Sequence, residues 1–133
     1  MKKSSILFLI SNLLIFSCTK KAELINQDNL NGTWLLKKYD GGQSYQVIVP
    51  ADTITITFSR LGKFSSSANF SIPPKGNYTT GRDVGGNHYS STVISLFADN
   101  RQEITYGIVL ETDTLFLFDR CCDMYKYTYV RME

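Results

Sequence analysis

The fold is decided by the run Thr53-Ile54-Thr55-Ile56-Thr57-Phe58-Ser59-Arg60, in which polar and apolar side chains alternate from Thr53 to Ser59. Successive side chains of a β-strand point to opposite sides, so Ile54, Ile56 and Phe58 share one face. Thr53, Thr55, Thr57 and Ser59 share the other. Branching at Cβ, as in threonine and isoleucine, also favours strands. The run therefore predicts a strand with one buried face and one solvent face.

The same two-residue alternation recurs on both sides of this run. No window keeps apolar residues at i, i+3, i+4 and i+7, so no amphipathic helix is predicted from Leu30 onward. In the strand that starts at Phe64, we expect Ala68 and Phe70 to share the face of Phe64. The remaining seven predicted strands are Gly32–Tyr39, Phe64–Phe70, Gly76–Thr80, His88–Phe97, Gln102–Leu110, Thr114–Phe118 and Met124–Met132.

Most connections between these eight strands are short, which is typical of hairpins and of antiparallel pairing. Eight antiparallel strands joined in sequence close naturally into an up-and-down barrel, because closure removes unpaired sheet edges. We therefore expect an all-β barrel. A sandwich of two sheets is the alternative that the sequence leaves open.

The first residues have the layout of a secretory signal. Lys2 and Lys3 precede an apolar segment at 6–16, which is too short to span a bilayer as a helix. Ile15-Phe16-Ser17-Cys18 resembles a lipobox, which implies that the Cys18 thiol carries a lipid. An ordinary signal cleaved nearby, or an uncleaved anchor, is the alternative.

These features divide the chain into three parts. We expect a lipoprotein signal peptide at 1–17, a lipidated N-terminus with a flexible tether at 18–29, and the barrel domain at 30–133. Acyl chains would then hold the protein on a membrane of the cell envelope, with the outer membrane as the expected location.

Charge excludes one class of partner. Without Lys2 and Lys3 the chain carries twelve basic and twelve acidic residues, so the sequence provides no strongly basic surface. Nucleic acid is therefore not an expected partner.

The two ends of the domain carry a family resemblance. Leu30-Asn31-Gly32-Thr33-Trp34 resembles the Gly-x-Trp opening strand of lipocalins, and Tyr127-Thr128-Tyr129-Val130-Arg131 is similar to the closing strand of small lipocalin-like domains in bacterial lipoproteins. The resemblance implies a barrel that sometimes holds a small apolar molecule. It also implies that a late arginine, here Arg131, packs over the indole of Trp34 where the barrel closes.

If the barrel holds a ligand, inward-facing side chains of several strands would line the site. Tyrosines there would give an apolar wall with a few hydroxyl groups, as ligand pockets often have. The alternative is that these side chains fill the core of a short barrel. The predicted wall consists of Ile56, Phe58, Phe64, Tyr78, Tyr106, Ile108, Tyr127 and Tyr129.

Residues for catalysis or metal binding are scarce. His88 is the one histidine, and no metal-binding or phosphate-binding motif occurs. We therefore expect no enzymatic activity, no metal and no cofactor. For the adjacent Cys121 and Cys122 the sequence leaves three states open: a vicinal disulfide, a disulfide between chains, or two reduced thiols.

Two functions remain from different classes. The first is an anchored binding barrel, with a small apolar ligand as the expected partner. The second is a structural or accessory lipoprotein that binds an envelope protein through its outer face. Leu115 and Leu117 alternate with Phe116 and Phe118, so one pair must point outward and contribute to that face.

Overall fold

The computed structural model of the protein describes residues 25–68, 70–83, 92–100, 102–120 and 124–133. Within these ranges the chain is nearly all β. One short helix, α1, precedes nine strands. The elements are α1 Gln27–Leu30, β1 Gly32–Gly41, β2 Gln46–Ile48, β3 Thr55–Phe58, β4 Lys63–Ser66, β5 Lys75–Arg82, β6 Thr92–Ala98, β7 Glu103–Glu111, β8 Thr114–Asp119 and β9 Lys126–Arg131.

Eight of the strands form a closed antiparallel barrel, as the sequence predicted. Each of β3 to β8 pairs with the next strand along the chain, and β1 pairs with both β3 and β9. The closing pair of strands places Trp34 opposite Arg131. The alternative of a two-sheet sandwich is therefore wrong.

The ninth strand, β2, was not predicted. It pairs with Tyr39–Gly41 at the end of β1, while β3 pairs with Gly32–Leu35 at the start. β2 and β3 thus follow one another along β1, with residues 49–54 between them. All three residues of β2 are exposed, so they show none of the alternation of apolar and polar residues that reveals a half-buried strand.

The barrel interior is a continuous core of large side chains. Ile56 and Phe58, from the run that decides the fold, are both buried, as the alternation predicts. Sixteen buried hydrophobic residues of the described part of the chain form one cluster. All of them lie in α1, β1 or β3 to β9 except Ile72, which lies in the connection between β4 and β5. The cluster contains Leu30, Trp34, Leu36, Ile56, Phe58, Phe64, Ile72, Tyr78, Ile94, Leu96, Tyr106, Ile108, Leu115, Leu117, Tyr127 and Tyr129.

One end of the barrel is covered by the segment 25–31, which contains α1. Asn26 and Asn29 cap the helix reciprocally, each accepting a hydrogen bond from the backbone N–H of the other. Leu30 is completely buried and Ile25 packs against the core. Among the described residues, packing on the barrel thus includes Ile25, which lies inside the segment that the sequence placed in the tether. A four-residue helix is too short to show a period, so the sequence pattern did not reveal it.

The connection between β4 and β5 covers the interior at the other end. β4 stops at Ser66, four residues earlier than predicted, and the Ser66 N–H donates to the Pro74 carbonyl. Ile72 is buried in the core, whereas Phe70 lies 5.1 Å from the Tyr39 ring, centroid to centroid, and is half exposed. The expectation that Ala68 and Phe70 continue the strand of Phe64 is therefore wrong, because the chain leaves the wall and turns over the barrel.

Candidate functional site

Trp34 and Arg131 lie together where the barrel closes. The Arg131 guanidinium carbon is 4.1 Å from the centroid of the indole ring. Its two terminal nitrogens donate to the backbone carbonyls of Asn31, at 2.7 Å, and Asn29, at 2.8 Å. The buried indole N–H donates to the Leu30 carbonyl at 2.8 Å. Both side chains thereby fasten the segment that carries α1 to the end of the barrel.

The predicted ligand wall lies in the barrel core. All eight of its residues are buried and belong to the single hydrophobic cluster. They contact one another: the rings of Phe58 and Tyr78 are 4.9 Å apart, and those of Tyr106 and Tyr127 are 6.2 Å apart. In this structure the wall side chains pack against each other.

Three of the wall tyrosines use their hydroxyl groups within the protein. Tyr78 donates to the Ser59 carbonyl at 2.8 Å, and Tyr106 donates to the Ser71 carbonyl at 2.6 Å. Tyr127 donates to the Asp119 carboxylate at 3.4 Å. Burial, with a smaller contribution from Asp119, raises the pKa of Tyr106 to about 12. Burial also raises the pKa values of Tyr78, Tyr127 and Tyr129, so these phenols stay neutral across the physiological range.

Cavities on the surface of the described part of the protein include two that none of the eight wall residues lines. One, of about 430 Å³, lies between the β4–β5 and β6–β7 connections. The other, of about 480 Å³, lies at the barrel rim between the β1–β2 turn and the start of β9. We call the second cavity the rim groove. Its lining is Asp40, Gly41, Gly42, Gln43, Tyr45, Phe118, Asp119, Met124, Tyr125 and Lys126.

Close backbone packing shapes the rim groove. A Cβ atom on Gly41 would lie 2.5 Å from the Met124 carbonyl oxygen, and one on Gly42 would lie 2.8 Å from the Tyr125 hydroxyl oxygen. Both glycines have positive φ, as do the groove residues Tyr45 and Met124. Glycine is thus required where the β1–β2 turn meets Tyr125. The sequence does not reveal this contact, because Gly41 and Gly42 lie far from Met124 and Tyr125 along the chain.

The groove combines aromatic surface with charge. Phe118 and Tyr125 supply rings, Asp40 and Asp119 supply carboxylates, and Lys126 supplies an ammonium group. Such a mixture suits a ligand with an apolar body and a polar end that donates hydrogen bonds.

Burial shows which of the two alternating pairs at 115–118 faces outward. Leu115 and Leu117 are completely buried, so Phe116 and Phe118 are the pair on the outer face. The Lys126 ammonium nitrogen lies 4.4 Å from the Phe116 ring centroid and 5.9 Å from that of Phe118. The two rings are half-buried, so they do not form a fully exposed aromatic patch.

Several residues singled out from the sequence lie outside the described residues. These are Cys18, His88, Cys121, Cys122 and residues 1–24 as a whole. The predictions of lipidation and of the vicinal disulfide therefore stay predictions. Among the residues that the structure does describe, no cluster of three or more histidine, cysteine or acidic side chains could bind a metal ion. In the same part of the chain, no helix has the length and apolar character needed to cross a membrane.

Comparisons with known proteins assign no family to this chain. No protein-family model matches it. No curated protein and no solved structure matches it significantly either.

Proposed function

We propose that the protein is a lipocalin-like lipoprotein of the cell envelope that binds a small, partly apolar ligand in the rim groove. Its signal-like first residues and Cys18 support the membrane anchor. The closed eight-stranded barrel and the packing of Arg131 on Trp34 support the lipocalin-like character. The groove itself is the observation that carries the binding function.

Packing in the interior favours the rim over the barrel centre. The eight wall side chains contact each other, and two of their hydroxyl groups donate to the backbone of the β3–β4 turn and of the β4–β5 connection. A ligand in the centre would have to displace this packing. The rim groove has about 480 Å³ without any such displacement, which lies within the usual range of small-molecule sites.

A dye-binding experiment tests the groove directly. Nile red, an uncharged apolar dye, would be titrated into the mature chain, from residue 18, with Cys18→Ala to prevent acylation. We expect saturable binding that weakens at least tenfold in Gln43→Trp, because the indole would fill the groove. Leu61→Trp, at a highly exposed position in the β3–β4 turn, is the matched control and should bind like the unchanged protein.

Two results would contradict a ligand site in the groove. One is the absence of saturable binding. The other is equal binding by the unchanged protein and the Gln43→Trp variant, which would mean that the dye binds outside the groove.

A second candidate is an accessory lipoprotein that binds a protein through the outer face. Phe116 and Phe118 on that face favour it. Lys126 lies against both rings, which leaves less of their apolar surface free for a partner.

A further inference from the structure

An exposed apolar segment borders the groove, which its residue Tyr45 lines, and contributes no side chain to the core of the described part of the barrel. Tyr45 is 86% exposed, Val47 59%, Ile48 40% and Val49 72%. In β2, every residue is exposed, so neither face of the strand packs on the core. Four exposed apolar side chains so close together in the chain are typical of a surface that binds another molecule.

One edge of β2 is also without a strand partner among the described residues. β2 lies at the end of the strand order and pairs only with β1. β4, which pairs with β3, stops at Ser66, so none of the described strands continues alongside β2 at the rim. Proteins commonly protect such an edge with lysine, proline or a bulge within the strand. Residues 45–49 contain no charge and no proline.

From these observations we infer that β2 is an interface at which two copies of this chain pair edge to edge as antiparallel strands. In a two-fold dimer the same segment meets itself, so any charge in it would oppose a like charge. The chain has no charged residue from Gly41 to Ala51, between Asp40 and Asp52. The segment is therefore compatible with its own copy.

The same segment explains why pairing would stop at two copies. Pro50 has no N–H to donate to a ladder, so the pairing ends at Val49. Each copy contributes its one β2 edge, and a two-fold contact uses both edges completely. A closed dimer results, and the free rim edge no longer promotes open-ended association.

Sedimentation velocity over a range of protein concentrations tests this inference. The sample is the mature chain with Cys18→Ala, kept in reductant so that a disulfide between chains through Cys121 or Cys122 cannot contribute. We expect a concentration-dependent shift from the mass of one chain to the mass of two. Val47→Lys should raise the dissociation constant at least tenfold, because it places two ammonium groups in one interface.

Two further variants keep the test interpretable. Val49→Lys should act in the same direction as Val47→Lys, and neither should change the circular dichroism spectrum because both side chains are exposed. Leu61→Lys, the matched control, adds the same charge at an exposed apolar position away from β2 and should leave the dimer intact.

The inference is overturned if the unchanged chain sediments as a monomer at all concentrations up to about 1 mM. A dimer that Val47→Lys and Val49→Lys leave unaffected would overturn it as well. A chain that is monomeric but binds lipid vesicles through Val47 would also overturn it, and would assign the segment to a membrane surface. These outcomes are independent of whether the rim groove binds Nile red.

Discussion

The guanidinium of Arg131 stacks on the indole of Trp34, with 4.1 Å between its central carbon and the ring centroid. The two residues lie ninety-seven positions apart in the chain and are directly opposed in the β1–β9 pairing. Because Arg131 also donates to the carbonyls of Asn29 and Asn31, this one contact joins the first strand, the last strand and α1.

Arg131→Lys should lower the free energy of unfolding by about 1–3 kcal/mol. Lysine retains the charge but loses the planar stacking and one of the two carbonyl contacts. Urea unfolding followed by circular dichroism measures the loss. Arg60→Lys, at an exposed ion pair with Asp28, is the control and should change stability by less than about 0.5 kcal/mol. Equal effects of the two variants would mean that Arg131 does not fasten the barrel end.

Trp34→Ala should destabilise the protein by about 3–5 kcal/mol, because it removes a completely buried aromatic side chain from the core. It also leaves the Leu30 carbonyl without the indole N–H. Trp34 is the one tryptophan, so unfolding is followed by circular dichroism instead of tryptophan fluorescence. The exposed Leu61→Ala should stay within about 0.5 kcal/mol of the unchanged protein. A loss below 1 kcal/mol in Trp34→Ala would contradict the buried position.

The two glycines Gly41 and Gly81 should respond differently to alanine. Gly41→Ala should cost about 2–4 kcal/mol, because it combines a positive φ with a Cβ atom 2.5 Å from the Met124 carbonyl oxygen. Gly81 has open space around the position of a Cβ atom, so Gly81→Ala should be neutral or slightly stabilising. Thermal unfolding of the two variants side by side measures the difference. Similar midpoints would show that the β1–β2 turn does not pack on Met124 and Tyr125.

The protein should lose stability at alkaline pH through its buried tyrosines. The pKa of Tyr106 is about 12 in the folded protein and about 10 in the unfolded chain. Its contribution is therefore fully present below pH 10 and is lost as the pH rises toward 12, because the unfolded chain releases its proton first. Burial raises the pKa values of Tyr127 and Tyr129 in the same direction.

Denaturant midpoints at pH 9 and pH 11.5 measure this effect. Tyr106→Phe should show a smaller decrease between the two pH values than the unchanged protein. The decrease should persist in part, because the other buried tyrosines still titrate. Tyr45→Phe, at a highly exposed position, should show the full decrease. An identical decrease in Tyr106→Phe and Tyr45→Phe would contradict the burial of Tyr106.

Alternation of apolar residues was sufficient to predict the closed barrel and most of its strands. Ile56, Phe58, Leu115 and Leu117 are buried where the two-residue period places them. Two elements, β2 and α1, were not predicted because their sequences do not show that alternation. β2 is exposed on both faces, and α1 has only four residues, which are held by the Asn26–Asn29 caps and by the contact of Arg131 with Asn29.

The candidate site was harder to predict for a physical reason. Inward-facing tyrosines give the same sequence pattern whether they line an open cavity or fill a packed core. What distinguishes the two cases here is the β4–β5 connection, which turns over the barrel and brings Ser71 to the hydroxyl of Tyr106. The rim groove arises from the contact of Gly41 and Gly42 with Met124 and Tyr125, and no local pattern encodes a contact over that separation.

The central claim, an acylated envelope lipoprotein that carries a small ligand in its rim groove, is tested most directly by native mass spectrometry. The protein would be extracted in mild detergent from the membranes of its own host cells, beside a Gln43→Trp variant expressed in the same cells. The account predicts a chain that begins at Cys18 with added acyl mass. It also predicts one further bound molecule, released on unfolding and absent from Gln43→Trp. A chain without acyl mass, together with no bound molecule in either protein, would contradict the account.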